Sequence, residues 1–231
     1  MNNTELNILQ LEGAAQALAD LLPQVTFVGG CTTALLVDAA AQFGVRHTDD
    51  VDAIIDVATR VEYHRFAQAL RERGFREDTD GPICRWLRDT NAGPIKLDVM
   101  PTSEALLGFS NRWYKASIAK ALLMKLPSGI PIRVVSPPYF IATKFEAFAG
   151  RGNGDFYSHD MEDIVFVLEN RTRLIVELSE CSKELKQYFA EQVEALLSDD
   201  FLNVLPGLLN NPSSASAVQN TLNIMQSWSG K

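Results

Sequence analysis

Two aspartates one residue apart, Asp50 and Asp52, stand at the head of the apolar run "VDAIIDV". Side chains alternate faces along a strand. As a strand, this run puts Val51, Ala53, Ile55 and Val57 on one face and Asp50, Asp52, Ile54 and Asp56 on the other. Two carboxylates held that close repel each other, and a cation between them relieves the conflict. Hard oxygen ligands without His or Cys suit Mg²⁺ or Mn²⁺. The run "IKLDVM" repeats the pattern, with Lys96, Asp98 and Met100 opposite Ile95, Leu97 and Val99. A neighbouring strand would bring Asp98 beside Asp50 and Asp52. Three carboxylates around two metals would serve in-line phosphoryl or nucleotidyl transfer.

Upstream, Gly29 and Gly30 separate the strand-like "VTFV" from the helix-like "TTALLVDAAAQFG". Glycine lets a phosphate approach the backbone. A helix N-terminus there would add free N–H groups and a positive dipole end. Thr32 and Thr33 supply hydroxyl donors. Arg46, in the loop before Asp50, is a candidate triphosphate contact, with pairing to a loop carboxylate as the plainer reading. Asp49 points away and reads as solvated or capping, and Asp56 as structural. Trp86, Trp113 and Trp228 read as packing anchors. Trp113 with Tyr114, between Arg112 and Lys115, offers the alternative of a base-stacking platform.

These residues need elements to hold them. Apolar spacing predicts a helix from Thr4 to Leu22, ended by Pro23, and a second over "RVEYHRFAQALRERG", closed by Gly74. "ICRWLRD" and "IKLDVMP" read as a strand pair around the turn "TNAGP". "KASIAKALLMKL" fits helix or strand, and "IPIRVVS" reads as a strand. After Pro137–Pro138 the pattern turns helical: "YFIATKFEAFAG", "DMEDIVFVLEN" and "RLIVELSECSKELKQYFAEQVEALL". The glycine-bearing "RGNGD" lacks the Gly-Lys-Ser/Thr of a phosphate loop and reads as flexible. Residues 206–217, rich in Asn, Ser and Gly, predict a flexible linker. The whole reads as an α/β (α+β) chain, with a mixed-sheet core over 1–136 and a helical module over 137–231.

The 231 residues are 46% hydrophobic with a formal charge of −8, which argues against a generic nucleic-acid coat. Basic residues gather only in Arg60–Arg76 and Arg112–Lys125, the sole candidates for a cationic track. Cys31, Cys84 and Cys181 show neither zinc spacing nor a disulfide framework, so a reducing cytoplasm is the expected compartment. No basic leader precedes an apolar core and no apolar run is long enough to span a bilayer, so no membrane partner is expected.

Taken in order, Gly29–Gly30, Arg46-His47-Thr48-Asp49-Asp50-Val51-Asp52, and Lys96-Leu97-Asp98 resemble the DNA-polymerase-β-like nucleotidyltransferases. The group most resembled is that of the AbiEii/AbiGii toxin-like nucleotidyltransferases. Lys144 in "YFIATKFEAF" matches their third, helical motif. Asp160 and Asp163 in "HDMEDIVF" match the fourth, with His159 where relatives often carry Arg. The stretch from Gly30 to Asp50 is longer than the compact pattern. The resemblance implies transfer of a nucleoside monophosphate from an NTP to an acceptor, with release of pyrophosphate. Asp50, Asp52 and Asp98 would be catalytic and hold Mg²⁺ or Mn²⁺. Gly29, Gly30, Thr32, Thr33, Arg46, Lys96, Lys144, Asp160 and Asp163 would bind the nucleotide. It further implies an RNA or tRNA acceptor and a cognate antitoxin. An antibiotic-type small-molecule transferase and a non-catalytic nucleotide-binding module are the alternatives. If Lys144 is an exposed helical lysine, Lys144→Glu should weaken NTP binding more than stability.

Overall fold

A computed structural model describes residues 1–91, 93–152 and 154–229. Ala92 of "TNAGP" and Asn153 of "RGNGD" therefore lie outside the described residues. The chain divides into two compact units, Met1–Leu35 with Val45–Ser136, and Leu36–Gly44 with Pro137–Lys231.

The first unit is built on a seven-stranded mixed sheet. Its strands are β1 (Val25–Val28), β2 (Val51–Ile55), β3 (Arg76–Glu77), β4 (Arg85–Arg88), β5 (Ile95–Pro101), β6 (Leu122–Lys125) and β7 (Pro131–Val134), in the order β3-β4-β5-β2-β1-β7-β6. β2 runs parallel to β5, and β1 parallel to β7; the remaining pairs are antiparallel. Helix α1 (Asn3–Leu18) packs on β2 and β5, where Gly13 admits the Ile95 side chain. A capping box from Asn2 and Glu5 starts it. A 3-10 segment carries the chain from Ala19 through Pro23 to Gln24.

The structure corrects one local reading and resolves another. The helix expected after Gly29–Gly30 is only α2 (Thr33–Leu36), followed by a 3-10 segment at Ala39–Gly44. In the second unit, the Asp38 N–H donates to the Asn170 carbonyl, and the Leu36 carbonyl accepts from Arg171. Those bonds divert backbone groups that a continuous helix would use. The ambiguous "KASIAKALLMKL" resolves into both elements. It forms the end of a short helix, α5 (Tyr114–Ala119), and then β6. Helix α3 (Arg60–Glu72) is capped by Thr59 and Glu62 and ends before Gly74, whose φ is +80°. A single turn, α4 (Glu104–Leu107), precedes α5.

The second unit is helical: α6 (Pro137–Arg151), α7 (His159–Asn170), α8 (Leu174–Ser179), α9 (Lys183–Val193), α10 (Asp199–Leu208) and α11 (Ala215–Gln226). α6 packs on α7, and α9 on α11, around Phe145, Met161, Ile164, Phe189, Leu222 and Met225. Over 206–217 the structure has the end of α10, a 3-10 turn at Pro212–Ser214 and the start of α11. Glu169 accepts from the Asn210 and Asn211 N–H groups, and the Asn211 side chain accepts from Ser213. Polar residues that read as linker composition are thus used as turn ligands. Among the described residues, no helix is long and apolar enough to cross a membrane.

Candidate functional site

Register decides what the first unit gathers. Asp52 pairs with Asp98 across β2 and β5, Val28 with Asp52 across β1 and β2, and Arg85 with Asp98 across β4 and β5. Residues in one row share a face, so Arg85, Asp98 and Asp52 stand side by side, with Asp50 two residues along. The opposite face carries Trp86, Leu97 and Val51 and is buried against helices.

The alternation therefore brings all three aspartates to one side, but the cation among them is a side chain. Arg85 Nε donates to Asp98 Oδ1 at 2.8 Å, and its Nη2 donates to Asp98 Oδ2 at 2.8 Å and to Asp50 Oδ2 at 2.5 Å. Asp98 is 7% exposed, and the Arg85 and Asp50 side chains are partly buried. The bidentate bond to Asp98 dominates the shift that holds the guanidinium protonated well above its ordinary range. Beside it, burial pushes the Cys84 thiol up to about 12, helped by the Asp98 and Asp52 charges. At neutral pH that thiol is protonated and a poor nucleophile.

The glycines meet this row directly. Gly29 has φ +71° and ψ −175°, a conformation nearly restricted to glycine. A Cβ there would fall 1.9 Å from Asp52 Oδ2, so the carboxylate lies flat against the turn. At Gly30 a Cβ would fall 2.5 Å from Arg46 Nη2. Gly29→Ala is accordingly expected to lower stability by about 1–3 kcal/mol and to displace Asp52. Chemical denaturation together with nucleotide binding checks this, and wild-type values for both would show that the turn tolerates a side chain. Thr32 Oγ1 donates to the Gly29 carbonyl at 2.8 Å, closing the turn on itself. Thr33 Oγ1 is buried and has no hydrogen-bond partner among the described residues. The four-residue helix that follows carries little aligned dipole, so any phosphate cradle here rests on the turn.

Residues that sequence reasoning missed support the loop to Asp50. Asn7, fully buried in α1, donates to the Arg46 carbonyl and accepts from the Thr48 N–H. Its only sequence signal is a polar residue on the apolar stripe of the first helix. Arg85 was legible only as a charge on a strand, because its partners depend on the hairpin register. Lys96 shares the parity of Asp98 and also lines a groove of about 620 Å³ with Asp49, Arg88, Ile95 and residues of α1. Asp56 accepts from Thr102, a structural contact, and the exposed Asp49 lies 3.4 Å from His47 Nε2.

Trp113 is 4% exposed, so its ring is a packing element and not a stacking platform. The helices of the two basic segments, α3 and α5, meet opposite faces of the sheet. Arg71 of α3 sits over the Trp86 ring, on the face away from the carboxylates. Tyr114 of α5 donates to Met100 Sδ, and Met100 has the parity of Asp98.

In the second unit, Lys144, Arg151, Asp160 and Asp163 form one cluster. Lys144 Nζ lies 3.0 Å from Asp160 Oδ1 and 2.8 Å from Asp163 Oδ2; Arg151 Nε and Nη2 donate to Asp160 at 2.8 and 2.9 Å. Lys144 is 6% exposed, which corrects the exposed-lysine premise: its ammonium neutralises buried acids. Burial alone would raise the Asp160 pKa, but Arg151 and Lys144 outweigh it and hold the group below its ordinary 3.8. A carboxyl lowered by folding stabilises the fold fully above its unfolded pKa and loses that contribution as pH falls through the folded value. The melting-temperature gap between wild type and Asp160→Asn should therefore be constant above about pH 5 and shrink below about pH 4. A gap independent of pH would remove the ionised carboxylate from the account.

Over most of the chain, these elements are similar to those of a solved structure, an antigenic nucleotidyltransferase-like protein from Paracoccidioides brasiliensis. The match has a TM-score of 0.57 and 19% identity and covers 94% of each chain. The fold is nucleotidyltransferase-like. No protein-family model and no curated protein matches the sequence. On this fold the three aspartates offer hard oxygen donors, which fit a divalent cation chemically. Among the described residues, however, no group of three or more His, Cys, Asp or Glu is drawn together as a metal site requires. Asp50 and Asp98 are turned to Arg85 instead.

Proposed function

We propose that the protein is a metal-dependent nucleotidyltransferase that moves an NMP from an NTP to an acceptor hydroxyl and releases pyrophosphate. The observation that carries this reading is the row Asp52–Asp98, with Asp50 beside it, against a glycine-only turn on a nucleotidyltransferase-like fold. Asp50, Asp52 and Asp98 would hold Mg²⁺ or Mn²⁺, which when bound supplies charge neutralisation at the reacting phosphate. Gly29, Gly30 and the Thr32 and Thr33 hydroxyls line the approach for phosphate, with the buried Thr33 Oγ1 an available donor. Arg46, packed on Gly30, brings a guanidinium to the same turn. Lys96, Lys144, Asp160 and Asp163 are assigned to the nucleotide by the motif resemblance, the last three as an ion-paired cluster and not as an isolated lysine.

Within this reading we favour the toxin-like branch, with an RNA or tRNA end as acceptor and an antitoxin as partner, on the order of the four motifs. A cationic track would run along Arg112, Lys115, Lys120 and Lys125, on the α5 side. A small cationic acceptor is the second reading, favoured by the net charge of −8 and by Arg71 of the first basic segment lying on the far face. The deciding experiment incubates the protein and Mg²⁺ with each α-labelled NTP and, in turn, total RNA, its own chain and aminoglycoside-type amines. Label on RNA supports the first reading and label on an amine the second; no label on any acceptor with any NTP overturns enzymatic transfer.

A further inference from the structure

We propose that Arg85 is a latch on the carboxylate row: it holds Asp50 and Asp98 together when no divalent cation is bound, and it must release them for one to bind. The inference rests on the metal-dependent reading above and adds a competitor built into the sheet. The guanidinium takes both oxygens of Asp98 and one oxygen of Asp50, donor atoms that a divalent cation would need.

The strand order makes this possible. β4 lies beside β5 with Arg85 opposite Asp98, so the planar fork meets the carboxylate edge-on and its outer nitrogen reaches Asp50. The neighbours Cys84 and Trp86 are buried, which fixes the backbone from which the side chain springs. Asp52 is held differently: its carboxylate lies against the Gly29 turn. The row thus has one carboxylate set against the turn and two that Arg85 must give up. The like charges of Asp50 and Asp98 would otherwise oppose folding without metal, and the fork offsets them.

The test is Mn²⁺ binding by the full-length protein, read from the electron paramagnetic resonance signal of free Mn²⁺. The variants are wild type, Arg85→Gln and Asp52→Asn, each checked by circular dichroism. Arg85→Gln is expected to bind Mn²⁺ at least about tenfold more tightly than wild type, since hydrogen bonds to charged groups are among the stronger ones to break. Asp52→Asn is expected to lose the tight site. Equal affinity of wild type and a folded Arg85→Gln, with the site lost in Asp52→Asn, overturns the latch and leaves metal binding standing. No Mn²⁺ binding by either folded protein overturns the metal reading, and the latch with it. If Arg85→Gln does not fold, the wild-type Arg85 Nε–Hε nuclear magnetic resonance signal decides. It should move and saturate as Mg²⁺ is added; an unmoved signal while Mg²⁺ binds overturns the proposal.

Discussion

Asp52→Asn and Asp98→Asn are each expected to lower nucleotide transfer at least about 10²-fold, the scale seen when one electrostatic contact to a developing charge is lost. The two residues are register partners on parallel strands, so neither can be replaced by a neighbour without shifting the sheet. Asn keeps the shape and part of the hydrogen bonding but removes the charge. The two variants should differ in stability. Asp98 accepts two bonds from Arg85 and is buried, so Asp98→Asn leaves the guanidinium with only Asp50 of its two acidic partners. Asp52 lies outside that ion pair, so its substitution leaves both bonds from Arg85 to Asp98 in place, and a denaturant titration compares the two. Transfer rates with saturating NTP and Mg²⁺ are the measurement. A variant with near wild-type turnover would remove that residue from the chemistry, whatever its place in the row.

Lys144→Met is expected to destabilise the helical unit by about 3–5 kcal/mol, the range for taking one partner from a buried ion pair. Methionine nearly conserves the volume of the side chain, so the loss would report the charge, including its place over the Phe140 ring, and not a cavity. Both acids served by the ammonium, Asp160 and Asp163, are 3% exposed or less, and neither can rehydrate without opening the α6–α7 contact. Arg151 continues to serve Asp160 in that variant. The double variant Lys144→Met with Asp163→Leu should recover part of the stability, since a buried pair replaced by apolar groups is often neutral. Urea unfolding of the single and double variants checks both statements. A cost under about 1 kcal/mol for Lys144→Met would mean that the cluster behaves as surface charge.

Sequence periodicity by itself determined which residues share a face. The alternation in "DDVDAIIDV" and "IKLDVM" placed Asp50, Asp52 and Asp98 on polar sides of strands, because a period of two leaves no freedom once the run is extended. Gly29–Gly30 were legible as a turn and Pro137–Pro138 as a helix entry for the same local reason. Local rules also predicted the mixed α/β class. What remained out of reach depends on partners distant in the chain. Arg85 finds Asp50 and Asp98 only through the register of the β4–β5 hairpin and the parallel β2–β5 pairing, neither of which a strand's own residues specify. The stub of helix after the glycine turn has helix-forming alanines, but backbone bonds to Asn170 and Arg171 end it. Lys144 read as a solvent-seeking lysine because a single helix shows only its own stripe, and the acids that bury it lie on α7. The tertiary structure thus decided which charges neutralise one another, since charge pairing is a matter of distance in space and the chain encodes that distance only when folded.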